Sequence, residues 1–172
     1  MLFRVDGHTK VTKIMDISSR RELHVIQPPK YEKLPNMRFE GPDFVESCGE
    51  ILSVCYNQSF NKMDYKFYIH RLEFGNGKGN PCWVKLRNIG DRILFFDLFY
   101  GTGCGFYLKA SDFVGFNGNC IYFTNSVCRT FGSGDFYKIF MYDIENGETI
   151  LIDSPFDRVG PITWFMLTIT HV

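Results

Sequence analysis

Serine, histidine, cysteine and glycine are the residues of this chain that could do chemistry, and their spacing argues against most of it. No Gly-x-Ser-x-Gly elbow occurs, and His8, His24, His70 and His171 are scattered singly, outside any recognisable catalytic context. Cys48, Cys55, Cys82, Cys104, Cys120 and Cys128 include no C-x-x-C pair, whereas a zinc site usually has at least one close-spaced pair of ligands. They read as reduced, mostly buried thiols of an intracellular protein. Gly75-Asn76-Gly77-Lys78-Gly79 and Gly101-Thr102-Gly103-Cys104-Gly105 have the glycine density of a phosphate-binding loop. Neither completes a Walker pattern or leads from a strand into a helix, so both read as inter-strand loops. Asp91-Arg92 and Ser111-Asp112 could form a charged rim that grips a ligand. Asp and Ser side chains also bond backbone groups in turns, and that structural reading is preferred. The chain is expected to be no enzyme and to need no metal or cofactor.

The elements that would position these residues are strands. Of 172 residues, 45% are hydrophobic, and 18 Phe with 9 Tyr favour strands and stacked-sheet cores. Strand patterns fall at 11–17, 23–26, 51–56, 65–72, 82–86, 93–98, 105–110, 120–124, 137–144 and 149–152, while 28–42 reads as a polar, proline-punctuated connection. No stretch holds a helical apolar period over three turns. Asn146-Gly147 between two β-rich runs predicts a tight hairpin turn needing positive φ. No run approaches the roughly 18 apolar residues of a membrane span, and the N-terminus lacks the apolar stretch of a signal peptide. Lys plus Arg and Asp plus Glu are 19 each, which argues against phosphate-dominated nucleic-acid binding. The local basic set Lys10, Lys13, Arg20 and Arg21 reads as a solvated strand edge or loop.

A repeat organises these strands. Ser47-Cys48-Gly49-Glu50-Ile51-Leu52-Ser53-Val54 is echoed by Asn117-Gly118-Asn119-Cys120-Ile121-Tyr122-Phe123-Thr124, and each is followed by a second strand, at 65–72 and 136–144. Gly90-Asp91-Arg92-Ile93-Leu94-Phe95-Phe96 is a partial unit of the same corner-then-strand form. Runs such as Ile93-Leu94-Phe95-Phe96 and Ile139-Phe140-Met141-Tyr142 are apolar on both faces, as in strands sandwiched between neighbouring sheets. A two-sheet sandwich is the rival, but its strands should alternate more strictly. The fold expected is all-β: one partial, incomplete β-propeller domain over 1–172, of about three to four antiparallel blades.

These segments also resemble a family. The stretch from Phe44 to Val54, then Phe67-Tyr68-Ile69-His70-Arg71-Leu72, Trp83-Val84-Lys85-Leu86, Ile89-Gly90-Asp91-Arg92-Ile93-Leu94-Phe95 and Ala110-Ser111-Asp112-Phe113-Val114-Gly115-Phe116 through Thr124 are similar to plant F-box proteins with a C-terminal β-propeller of formerly unknown function (DUF295). The likeness covers residues 1–165. It implies a protein-interaction module like the substrate-recognition propeller of an SCF ubiquitin ligase, in cytoplasm, nucleus or an organelle. No F-box is expected in this chain, so no direct docking to the SCF adaptor is expected, and neither nucleic acid nor membrane is an expected partner. The partner is an unidentified protein, with self-association through open sheet edges as a further route. Function on repeat scaffolds tends to sit in connections, here 57–64, 75–81, 101–105 and 125–134. Asn76, Lys78, Asn80 and Arg129 in these loops, with Trp164, are the candidate partner contacts, Trp164 because aromatic residues dominate interface hot spots. The alternative is a truncated, F-box-less remnant with no independent activity.

Overall fold

The computed structural model describes residues 2–6, 8–32, 34–59, 64–75, 80–98, 105–128 and 135–152, the backbone alone at 126–128 and 135–137. It divides into two compact units, Met1–Asn88 and Ile89–Val172. The chain is all-β. Its described residues build three sheets and one short 3-10 turn, an incomplete propeller of a few blades.

The first unit holds two sheets. Strands β1 (Leu2–Val5), β2 (Thr12–Met15) and β3 (Glu22–Ile26) pair in sequence order, antiparallel throughout. Alternation sends Phe3, Ile14 and Ile26 to one face, where they pack with Ile51, Leu72 and Trp83 of the next sheet. That sheet is the meander β4 (Met37–Ser47), β5 (Glu50–Ser59), β6 (Tyr65–Glu73) and β7 (Cys82–Leu86). Its central strands are buried on both faces, with Leu52, Val54, Cys55, Tyr68 and Ile69 all covered. Phe44 stacks on Trp83 at 5.7 Å between ring centroids, so that tryptophan packs within this unit.

The repeat's first corner is a two-residue hairpin. Ser47 pairs with Glu50, and Cys48 and Gly49 between them both have positive φ, 54° and 77°. That is the type I′ geometry, whose twist matches the strands it joins. The Glu46 carboxylate accepts the Gly49 N–H at 2.8 Å and so holds the turn.

Strand β4 is absent from the sequence reading because Gly41-Pro42 looks like punctuation. The pair instead sits where the register shifts between Glu40 and Asp43. Proline is tolerated at such a bulge, where no ladder N–H is required. Gly41 has φ of 99°, and a Cβ there would stand 2.8 Å from the Val54 carbonyl oxygen, so glycine is required. Strand β1 is a second addition, too short to show a period.

The second unit is one five-stranded sheet in the order β12 (Glu148–Ile152), β11 (Asp135–Asp143), β10 (Cys120–Cys128), β8 (Arg92–Asp97), β9 (Phe106–Lys109). The expected antiparallel plan holds except that β8 and β10 run parallel, Ile93 opposite Cys120 through Asp97 opposite Thr124. The partial unit at 90–96 thus joins the sheet of the second repeat copy. A parallel pair needs a crossover, and the chain makes one through β9 and the 3-10 turn Ala110–Asp112. The Asn-Gly hairpin is also wider than expected: Asp143 pairs with Glu148, leaving a four-residue loop, 144–147, with positive φ at Gly147 but not at Asn146. The Asp143 carboxylate accepts the N–H groups of Glu145 and Asn146 at 2.8 and 3.1 Å and closes the loop as an Asx turn.

Candidate interaction site

The most elaborate corner lies where β8 and β10 begin. Asp91 accepts the Ser111 N–H at 3.1 Å and the Ser111 hydroxyl at 2.6 Å, while the Asp91 carbonyl accepts the Ala110 N–H at 2.8 Å. Asn119, at φ 61°, accepts the Ile89 N–H on its side chain at 2.9 Å and donates its own N–H to the Arg92 carbonyl at 2.9 Å. Arg92 donates through Nε to the Ile89 carbonyl at 2.7 Å. The backbone of Gly118 passes so close that a Cβ would stand 2.6 Å from the Gly90 carbonyl oxygen. The corner motifs Gly-Asp-Arg, Ala-Ser-Asp and Asn-Gly-Asn therefore meet in one hydrogen-bonded node. Their role is structural, as preferred for Asp91 and Ser111.

This node holds up an exposed apolar loop. Phe113, Val114 and Phe116 are 44%, 103% and 42% exposed, and Gly115 between them has φ of 89°. Phe113 meets Phe116 edge-on at 6.2 Å, and Phe116 leans on Tyr122 at 5.7 Å. Apolar side chains raised into water on a rigid base are the form of an interface anchor. Sequence reasoning quoted these residues only as part of a resemblance. The available signal was Phe-Val-Gly-Phe falling between two strands, where polar turn residues are usual.

A concave feature lies in the first unit. Asp6 Oδ1 accepts the N–H groups of His8 and Thr9 at 3.0 and 2.7 Å, fixing a turn whose His8, Thr9 and Lys10 form one side of a groove of about 340 Å³. The Thr9 N–H foremost, then the Thr9 hydroxyl at 2.8 Å and the His8 N–H, hold the exposed Asp6 carboxyl below its ordinary pKa. Pro28, Pro29, Tyr31 and Phe39 line the rest. The Tyr31 ring packs on Phe39 at 4.7 Å and perpendicular to His70 at 5.5 Å.

Behind Tyr31 sits a buried polar set. Burial pushes the Cys55 thiol up to about 12, and the same desolvation, with Cys55 beside it, raises the Tyr31 hydroxyl. Burial first, then Lys85, lowers His70 to about 4, and its Nδ1 has no hydrogen-bond partner among the described residues. Burial first, then Glu40, raises the Asp43 carboxyl to about 6, with Lys10 opposing. A buried thiol held protonated in this way packs as a small apolar group. Among the described residues no cluster of three or more His, Cys, Asp or Glu could hold a metal ion, and no helix is long and apolar enough to cross a membrane.

Of the residues singled out from sequence, Asn80 is exposed just before β7. Asn76, Lys78, Arg129 and Trp164 lie outside the described residues, as does most of the 101–105 loop.

Comparison with known proteins supports a distant relationship to F-box propeller proteins. The family described as KIB1-4 beta-propeller matches residues 2–143. A curated Arabidopsis thaliana protein named as an F-box protein is 29% identical over 143 residues, covering 80% of this chain and 32% of that protein. The chain thus spans about a third of the length of that relative. No solved structure matches the chain.

Proposed function

The chain belongs to the KIB1-4 beta-propeller family, and on that premise we propose that it is a non-catalytic protein-interaction module that holds a partner protein on the connections of its blades. The observation that carries this is the loop at Phe113, Val114 and Phe116, three exposed apolar side chains on a base fixed by Asp91, Ser111 and Asn119. A loop with only a solvating role would present polar residues there. The likeness to an F-box protein supports a finer reading: the module serves as the substrate-receiving part of an SCF-type ubiquitin ligase, intracellular. Asn76, Lys78, Asn80, Arg129 and Trp164 would add contacts around the same partner.

The test is affinity capture from plant extract by the parent chain and by Phe113→Ser/Val114→Asp, both checked for equal melting. A defined partner retained by the parent and lost by the loop variant is expected. Identical retention by both folded proteins would refute the role of this loop.

A further inference from the structure

The groove of the first unit combines flat apolar lining with a positive charge. Tyr31 and Phe39, ring against ring at 4.7 Å, line it together with the consecutive Pro28 and Pro29. All four are half-buried, so each keeps surface that a ligand can cover. The Tyr31 hydroxyl is engaged with Cys55 and Ser53 and makes no demand on the groove itself.

Lys10 brings the charge, and it is half-buried. The acidic groups of the neighbouring segments are committed elsewhere. Asp6 caps its own turn through His8 and Thr9, Glu32 pairs with Lys66 at 3.2 Å, and Glu40 pairs with Arg38. Asp43 feels Lys10 through space, but Lys10 forms no ion pair with it or with any other carboxylate among the described residues. A half-buried ammonium without an ion pair is complementary to an anion.

We propose that this groove binds a small aromatic carboxylic acid, its ring covered by Tyr31, Phe39, Pro28 and Pro29 and its carboxylate paired with Lys10. Ligand sites are mostly apolar, with a few polar groups that fix orientation, and this lining has that balance. The volume of about 340 Å³ is at the low end for such sites, enough for one ring with a short acid. The ligand is therefore a free molecule rather than the end of another chain. This site is separate from the Phe113 loop, and its test does not depend on that loop holding a partner.

The test is a titration of the full 172-residue chain, labelled with nitrogen-15, with 3-phenylpropionate and with its neutral amide at pH 7.5. Amide shifts at Thr9, Lys10, Tyr31 and Phe39 are expected to saturate with a Kd of about 1 mM for the acid, and the amide is expected to bind about fivefold more weakly. In Lys10→Met the acid and the amide should bind alike, because the charge is gone while an apolar stem remains. If that variant loses the dispersed spectrum of the fold, Lys10→Asn, which suits the φ of 58°, replaces it. Asp43→Asn removes the carboxylate that competes for Lys10 and should bind the acid about twofold more tightly. Shifts that do not saturate, or that fall away from these four residues, overturn the proposal. So do equal affinities for acid and amide in the parent, a difference that survives in the folded Lys10 variant, or an Asp43→Asn chain that binds no more tightly. Tighter binding of N-acetyl-glycyl-phenylalanine than of 3-phenylpropionate overturns it in favour of a chain end.

Discussion

Replacing Asp43 by asparagine should stabilise the protein at neutral pH and do nothing at pH 4. Asp43 follows the bulge of β4, half-buried, opposite Val54 and near Glu40. Burial, with Glu40 second and Lys10 opposing, moves its carboxyl from an ordinary 3.8 to about 6. The folded chain therefore holds the proton more tightly than the unfolded chain. The stability this group contributes is fully present below about pH 4 and is lost as pH rises through about 6. A displacement of that size corresponds to roughly 3 kcal/mol, and partial exposure reduces it to about 1–2 kcal/mol. His70 works in the opposite direction. Its folded value of about 4 lies below its ordinary 6.5, so it contributes stability at neutral pH that is lost on acidification across that interval. The parent should therefore show a flattened profile between pH 4 and 6.5. Asp43→Asn should rise with pH across the same window, exceeding the parent by about 1–2 kcal/mol at pH 7.5 in urea titrations. A gap that does not change with pH, or an asparagine variant less stable than the parent at pH 7.5, would refute the reasoning.

Two further substitutions test the corners. Gly118→Val forces a Cβ to within 2.6 Å of the Gly90 carbonyl oxygen and 2.7 Å of Asp91 Cα, both backbone, and should lower stability by more than about 3 kcal/mol in urea titrations. A variant that melts like the parent would show that the node does not hold β8 against β10. Cys48→Asn keeps the type I′ turn while placing a residue that tolerates its φ of 54°, and should gain about 0.5 kcal/mol, read as a higher urea midpoint. A loss at that position would mean that the cysteine side chain supports the turn.

Strand positions were legible because period-two alternation and β-branched or aromatic content are local properties. Strand β7 was read with the bounds it has, Cys82–Leu86, and the centres of β5, β6, β8 and β12 were all found. Strand β4 was not, because the local meaning of Gly41-Pro42 is a break, and only pairing with β5 turns that break into a bulge. The candidate site was less legible. Phe113, Val114 and Phe116 are apolar, and a single sequence assigns apolar residues to a core unless something keeps them out.

Composition and pattern alone determined an all-β chain of repeated corners, neutral in charge. Tertiary structure decided that β8 and β10 lie parallel, that Asp91, Ser111 and Asn119 share one node, and that Tyr31, Asp43, Cys55 and His70 gather behind a groove. The physical reason is range. Side-chain alternation and turn chemistry are set within a few residues, whereas sheet neighbours and exposure are set by contacts between segments tens of residues apart.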